Sequence, residues 1–196
     1  MTDVPPSPLG ELDLHLFNEG THRRLHRCLG AHPDGEGTWF AVWAPNASSV
    51  EVLGDFDGWR GQRLEPVGSS GIWSGYVPGA RPGQSYRYAI TTRHGERLEK
   101  ADPVGAAHNV PPSTASVIAD LDYEWHDAAW MSRRGSTVRA DAPISIYEVH
   151  LGSWGRIATP GRRFPTYAEL ADPIADHVLA HGFTHVELLP IMEHPF

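Results

Sequence analysis

Glu148 and His150 are the residues of this chain best suited by type and spacing to carry chemistry. They lie two apart in residues 144–154, Ile-Ser-Ile-Tyr-Glu-Val-His-Leu-Gly-Ser-Trp. Pro143 delivers the chain into this stretch, Ile144, Ile146, Tyr147 and Val149 make it β-rich, and Gly152 ends it. A strand would aim Glu148 and His150 to the same face as Ile144 and Ile146, with the two polar groups near its C-terminal end. A carboxylate and an imidazole are proton-transfer groups, and in α/β barrels the C-terminal end of a strand is where chemistry is done. Two further carboxylates, Glu187 and Glu193, lie on or just beyond a second apolar run, Val-Glu-Leu-Leu-Pro-Ile at 186–191.

The segments between them predict how these groups are positioned. Residues 155–165 are rich in glycine and arginine and read as a loop. Thr-Tyr-Ala-Glu at 166–169 matches a capping box, after which Tyr167, Leu170, Ala171, Ile174 and Val178 form one apolar stripe and Gly182 supplies a stop. Pro173 falls inside this helix and is expected to kink it, or to restart it with Asp172 as a second cap. Residues 186–191 then form a strand. The result is one strand-helix-strand unit over residues 143–196, which handedness rules make right-handed and parallel.

A different period governs the earlier chain. From Gly37, Trp39, Ala41 and Trp43 alternate against Phe40 and Val42, and a turn at Ala-Pro-Asn-Ala, 44–47, precedes a second strand at 50–53. Further short strands fit residues 71–77, 85–92, 97–100 and 115–119, punctuated by glycine and proline. Short strands at regular spacing without intervening helices predict an antiparallel, immunoglobulin-like β-sandwich over residues 21–120. Residues 1–20 read as a flexible tail, although Leu12, Leu16 and Phe17 have helical spacing before Asn-Glu-Gly at 18–20. Residues 121–142, with Trp125, Trp130 and Met131, read as an ordered connector.

Composition narrows the classes of function. The 196 residues carry a formal net charge of -8, which argues against nucleic acid or an anionic membrane surface as partner. No apolar run approaches the roughly 20 residues of a membrane-spanning helix. The single cysteine, Cys28, and an N-terminus without a basic start and apolar core point to the cytoplasm. His15, His22, His26 and His32 invite a metal reading, but without a paired cysteine or a zinc-helix spacing the expectation is a solvated polar segment and no metal.

Several strings together resemble the α-1,4-glucan branching enzymes of glycoside hydrolase family 13. They are Phe-Ala-Val-Trp-Ala-Pro-Asn at 40–46, Gly-Asp-Phe-Asp-Gly-Trp at 54–59, Lys-Ala-Asp-Pro at 100–103, Thr-Ala-Ser at 114–116, Ile-Tyr-Glu-Val-His-Leu-Gly-Ser-Trp at 146–154, Phe-Thr-His-Val-Glu-Leu-Leu-Pro at 183–190 and Glu-His-Pro-Phe at 193–196. The resemblance implies a family 48 carbohydrate-binding module followed by the first β-α-β portion of a truncated (β/α)8 barrel. It also implies cofactor-free cleavage of an α-1,4-glucan and rejoining as an α-1,6 branch through a covalent glycosyl-enzyme intermediate. Trehalose-releasing and debranching relatives share the module, and a glucan-binding module acting alone is a further alternative.

The same resemblance places the family's nucleophile, acid/base and stabilising carboxylates on later strands, so no catalytic residue is expected in this chain. Glu148, His150, Glu187 and Glu193 are then polar residues lining the barrel. Trp59 matches a sugar-stacking tryptophan of glucan-binding relatives and Arg87 a basic position in them, with Trp73 as a further aromatic candidate. A second stacking tryptophan of those relatives is replaced here by the turn His-Gly-Glu-Arg at 94–97. Asp57 stands where asparagine is usual, a turn position that aspartate tolerates. The expected partner is an α-1,4-glucan, with the chain monomeric as part of its parent enzyme.

Overall fold

The computed structural model describes residues 4–155 and 164–191. The chain divides into two compact units, Met1–Tyr123 and Glu124–Phe196.

In the first unit, helix α1 (Glu11–Asn18) and a 3-10 turn (Leu25–Arg27) precede nine strands. These are β1 (Gly30–Pro33), β2 (Gly37–Trp43), β3 (Ala47–Gly54), β4 (Gln62–Pro66), β5 (Ile72–Pro78), β6 (Ser85–Thr92), β7 (Arg97–Lys100), β8 (Ala107–His108) and β9 (Ser116–Val117). Their order is β1-β2-β5-β4-β3-β6-β9-β8, with β7 also on β6, and every pairing is antiparallel. Although β2 and β6 are far apart in that order, the Phe40 and Tyr86 rings lie 5.0 Å apart. The sheet therefore curls over a core of Phe40, Val42, Val50, Val52, Leu64, Tyr86 and Tyr88, where each aliphatic or Phe side chain contributes about 1.5–3 kcal/mol by leaving water. Gly37 is required for the approach of β2 to β5, since a Cβ there would stand 2.7 Å from the Tyr76 ring.

The alternation in β2 buries both faces. Phe40 and Val42 enter the main core, while Ala41 joins Ile72, Leu9, Cys28 and Leu29 in a second cluster that Leu14 and Phe17 of α1 pack against. Residues 9–18, expected as part of a flexible tail, are thus a folded part of the unit, because the outer face of β2 and β5 needs their apolar stripe as cover. The expectation of a solvated histidine segment holds at His15 and His26, which are exposed, and is corrected at His22. The His22 side chain is only 6% exposed and bonds Asp13 beside buried Cys28.

Across the main core, Asp102 is buried. Its Oδ2 accepts from the hydroxyls of Tyr86 at 2.7 Å and Tyr88 at 3.2 Å, and its Oδ1 accepts from the Val104 N–H. The Lys-Ala-Asp-Pro string is in this way an anchor that ties the exit of β7 to β6.

In the second unit, α2 (Ala128–Thr137) lies within the stretch expected as connector. Strand β10 (Ile146–His150) pairs in parallel with β11 (His185–Leu189), joined by α3 (Tyr167–Ala180). Val149, Leu151, Leu170, Ile174 and Val178 form the core of this unit. Thr166 Oγ1 accepts from Glu169 N–H, and the Glu169 carboxylate accepts from Thr166 N–H at 2.7 Å, closing the capping box. The restart expected as one outcome at Pro173 does not occur. The helix runs through it, held by the burial of Leu170, Ile174 and Val178 on either side. Leu188, Leu189 and Ile191 remain exposed beside the open β11 edge. No helix among the described residues is long and apolar enough to cross a membrane.

Candidate functional site

The loop after β3, Gly-Asp-Phe-Asp-Gly-Trp-Arg-Gly at 54–61, is built from the inside outward. Phe56 turns inward and packs on Phe40, with ring centroids 5.6 Å apart. Asp57 closes the loop with both carboxylate oxygens, Oδ1 accepting from Gly54 N–H at 3.1 Å and Oδ2 from Gly61 N–H at 2.8 Å. Backbone tolerance is thus not why aspartate suits this position. It supplies two acceptors to two amides, which the single carbonyl of asparagine does less well.

Trp59 stands on the outside of this loop. Its backbone has φ of +62°, the left-handed region, and it is the one non-glycine residue with positive φ among those described. Such a conformation costs on the order of 1–3 kcal/mol and is held by its surroundings. Those surroundings are the Trp59 N–H donating to Gly54 O at 2.9 Å and the indole Nε1 donating to Asp55 Oδ1 at 3.0 Å. Asp55 Oδ2 in turn accepts from Ser85 N–H at 2.7 Å, tying the loop to β6. Trp59 as a whole is 38% exposed.

Arg87 on β6 is brought to the same place. Its guanidinium carbon lies 5.8 Å from the Trp59 ring centroid, Nη1 is 3.5 Å from Glu99 Oε2, and its buried Nε has no hydrogen-bond partner among the described residues. A second arginine, Arg97, bridges Glu99 and Glu51. The charges of this face are therefore largely paired, and the arrangement suits a neutral ligand. An aromatic face flanked by a guanidinium and carboxylates can stack on an apolar ring face and hydrogen-bond hydroxyl groups at its edge.

Trp73 does not belong to it. At 8% exposure it is a core residue whose Nε1 donates to Ala44 O at 3.1 Å, so no face is open to a sugar. The β6–β7 turn at 92–97 holds no tryptophan, tyrosine or phenylalanine, and Trp59 is the single indole platform of this loop region.

In the second unit, Ile146, Glu148 and His150 are exposed on one face of β10, while Val149 is buried beneath α3. Glu148 and Glu187 are register partners across the parallel pair. Neighbouring strands stand about 4.8 Å apart with their side chains directed the same way, so these carboxylates lie side by side. A retaining glycosidase pair must instead face across a scissile bond, about 5 Å apart. His150 Nδ1 lies 3.1 Å from Ser153 Oγ. Glu193, with its Glu-His-Pro-Phe string, lies outside the described residues.

What the sequence reading missed is the support of Trp59. The roles of Asp55 and Ser85 depend on β3 and β6 being neighbours, and the only local signal was the pair of acidic residues two and four positions before the tryptophan.

Residues 28–105 match the family described as carbohydrate-binding module 48, isoamylase N-terminal domain. Over 96% of its length the chain is 48% identical to a 1,4-alpha-glucan branching enzyme, GlgB, of Synechococcus sp. (strain JA-3-3Ab). It is 50% identical, again over 96% of its length, to that of Rhodococcus jostii (strain RHA1). The chain spans about a quarter of these relatives, 27% and 26% of their lengths. Among solved structures, apo pullulanase from Klebsiella pneumoniae superimposes with a TM-score of 0.58 at 25% identity, covering 84% of this chain and 20% of that one.

Proposed function

We propose that the chain is the N-terminal part of a 1,4-alpha-glucan branching enzyme, which cuts α-1,4 links and rejoins the cut chain as an α-1,6 branch by retaining transglycosylation. Its first unit is an immunoglobulin-like sandwich that holds glucan, and its second is the beginning of a (β/α)8 barrel whose catalytic carboxylates lie elsewhere in the parent. The identity of about one half to branching enzymes over 96% of the chain supports the parent reaction over trehalose-releasing or debranching chemistry. The side-by-side register of Glu148 and Glu187 supports the absence of catalysis from this portion.

The observation that carries the binding role is Trp59, held outward in a left-handed conformation by Asp55 and the Gly54 carbonyl. A glucose unit of a glucan stacks on its open face, and Arg87 donates to a hydroxyl at the edge. Glu148, His150, Glu187 and Glu193 line the barrel as polar bracing. The parent works as a monomer in the cytoplasm and needs no cofactor.

The test is retention of the 196-residue chain on immobilised glycogen, compared with Trp59→Ala. Retention of the unmutated protein and its loss in the variant are expected. A chain that passes through glycogen unretained overturns the binding role, and hydrolysis or transfer of glucan by the chain alone overturns the assignment of catalysis to the rest of the parent.

A further inference from the structure

Two clusters of metal-ligating side chains lie away from the Trp59 loop, and the position of the ring proton separates them. Asp13, His22 and Cys28 bring three ligand atoms within 4.8 Å of one another. However, His22 Nδ1 accepts from the Arg24 backbone N–H at 3.0 Å, so in the neutral ring the proton sits on Nε2, which donates to Asp13 Oδ1 at 2.9 Å. The nitrogen beside Cys28 is already protonated, and moving that proton to Nδ1 would set two N–H groups against each other. This cluster is a clasp between α1 and the 3-10 turn.

His177 and His181 have the opposite character. They lie four residues apart at the end of α3, where side chains are neighbours on one face. Their ring centroids are 4.2 Å apart with planes inclined at 34°. His181 Nδ1 stands 2.8 Å from the His177 carbonyl oxygen. A carbonyl only accepts, so Nδ1 carries the proton and Nε2 presents its lone pair. Donation of one ring N–H to a backbone carbonyl is also how metal-bound histidines are oriented. The His177 ring forms no hydrogen bond among the described residues and is steadied instead by Tyr147 at 4.9 Å and Trp154 at 5.9 Å between centroids. His181 is exposed, which opens the pair to solvent. The C-terminal end of a helix also favours a cation through its aligned carbonyl dipoles.

We propose that His177 and His181 together chelate a divalent transition-metal ion of borderline softness, Cu(II) most tightly, through one nitrogen of each ring. Imidazole is the preferred donor for copper, zinc and nickel, and copper heads the affinity order. The ion clamps the last turn of α3 where the chain leaves through Gly182 for β11, and water completes its coordination.

The test is titration of the 196-residue chain with Cu(II) salt, followed by equilibrium dialysis and by tryptophan emission, since bound Cu(II) quenches an indole as close as Trp154. One tight site per chain is expected. His181→Ala and His177→Gln should each weaken it by about ten- to a hundredfold, the range produced by loss of even an outer-shell partner, while His126→Ala leaves it unchanged. Trp154→Phe should keep the binding and lose the quench. His181→Ala affects an exposed side chain, and an unaltered far-ultraviolet spectrum establishes that it folds. Equal Cu(II) affinity in His181→Ala, or a wild type that binds no more tightly than the His177→Gln/His181→Ala double variant, overturns the site.

Discussion

The Arg87 guanidinium sits 5.8 Å from the centre of the Trp59 ring and is tethered from behind by Glu99. One side of the indole is thereby occupied by the protein itself, which leaves the other for the glucan proposed to stack there. At an exposed position this cation–π contact contributes about 0.5–1 kcal/mol. Arg87→Ala is expected to weaken glycogen retention about threefold to tenfold, since an oriented ring contact is worth about 0.5–1.5 kcal/mol, and Arg87→Lys to recover part of the loss. Tighter retention of Arg87→Ala would mean that the arginine obstructs the platform.

Asp57 sets the loop that presents Trp59. Asp57→Ala strands two amide donors and should lower stability by about 1–3 kcal/mol. Asp57→Asn keeps one good acceptor and should cost less. Urea denaturation of the three proteins gives the order, and glycogen retention should fall in the same order.

Two carboxylates of the first unit have shifts of opposite sign. Burial raises Asp102 above its ordinary value of 3.8, against the hydrogen bonds from Tyr86, Val104 and Tyr88. Its fold holds the proton more tightly than the unfolded chain does, so this contribution is full below 3.8 and is lost as pH rises through the folded value. The His22 hydrogen bond lowers Asp13 below 3.8, so its contribution is present at neutral pH and is lost as pH falls through the folded value. Denaturant midpoints between neutral and acid pH should therefore show the wild type gaining on Asp102→Asn with acidification and losing its margin over Asp13→Asn. Parallel curves for all three would remove both assignments.

Pro173 lies inside α3 without ending it, at the expense of the hydrogen bond its N–H would donate to Glu169. Pro173→Ala should raise the stability of the second unit by up to about 3 kcal/mol, read as a higher thermal midpoint of the helical signal. A lower midpoint would show that the proline ring packs into the unit.

The strands with alternating side chains were legible in the sequence. Strands β6 and β7 have the bounds their patterns predict, and β2 follows its own closely. Strands β1 and β4 were not legible. Gly-Ala-His-Pro offers no alternation, and Gln-Arg-Leu-Glu-Pro sends only Leu64 into the core. Trp73 could not be told from Trp59 by type, because what separates them is burial, Trp73 lying within β5 and Trp59 in the loop after β3. The clasp of Asp13, His22 and Cys28 was hidden for a related reason. Its members lie in separate segments that meet only once α1 folds onto β2.

At position 59 the backbone prefers glycine and the chain carries tryptophan. Local conformation and surface function are therefore opposed at one residue. Trp59→Gly relieves the left-handed strain that Trp59→Ala retains, so the glycine variant should fold more stably than the alanine variant while both lose the ring. Stability alone would favour glycine at this position, so the cost of the tryptophan is set against whatever its exposed ring contributes at the surface.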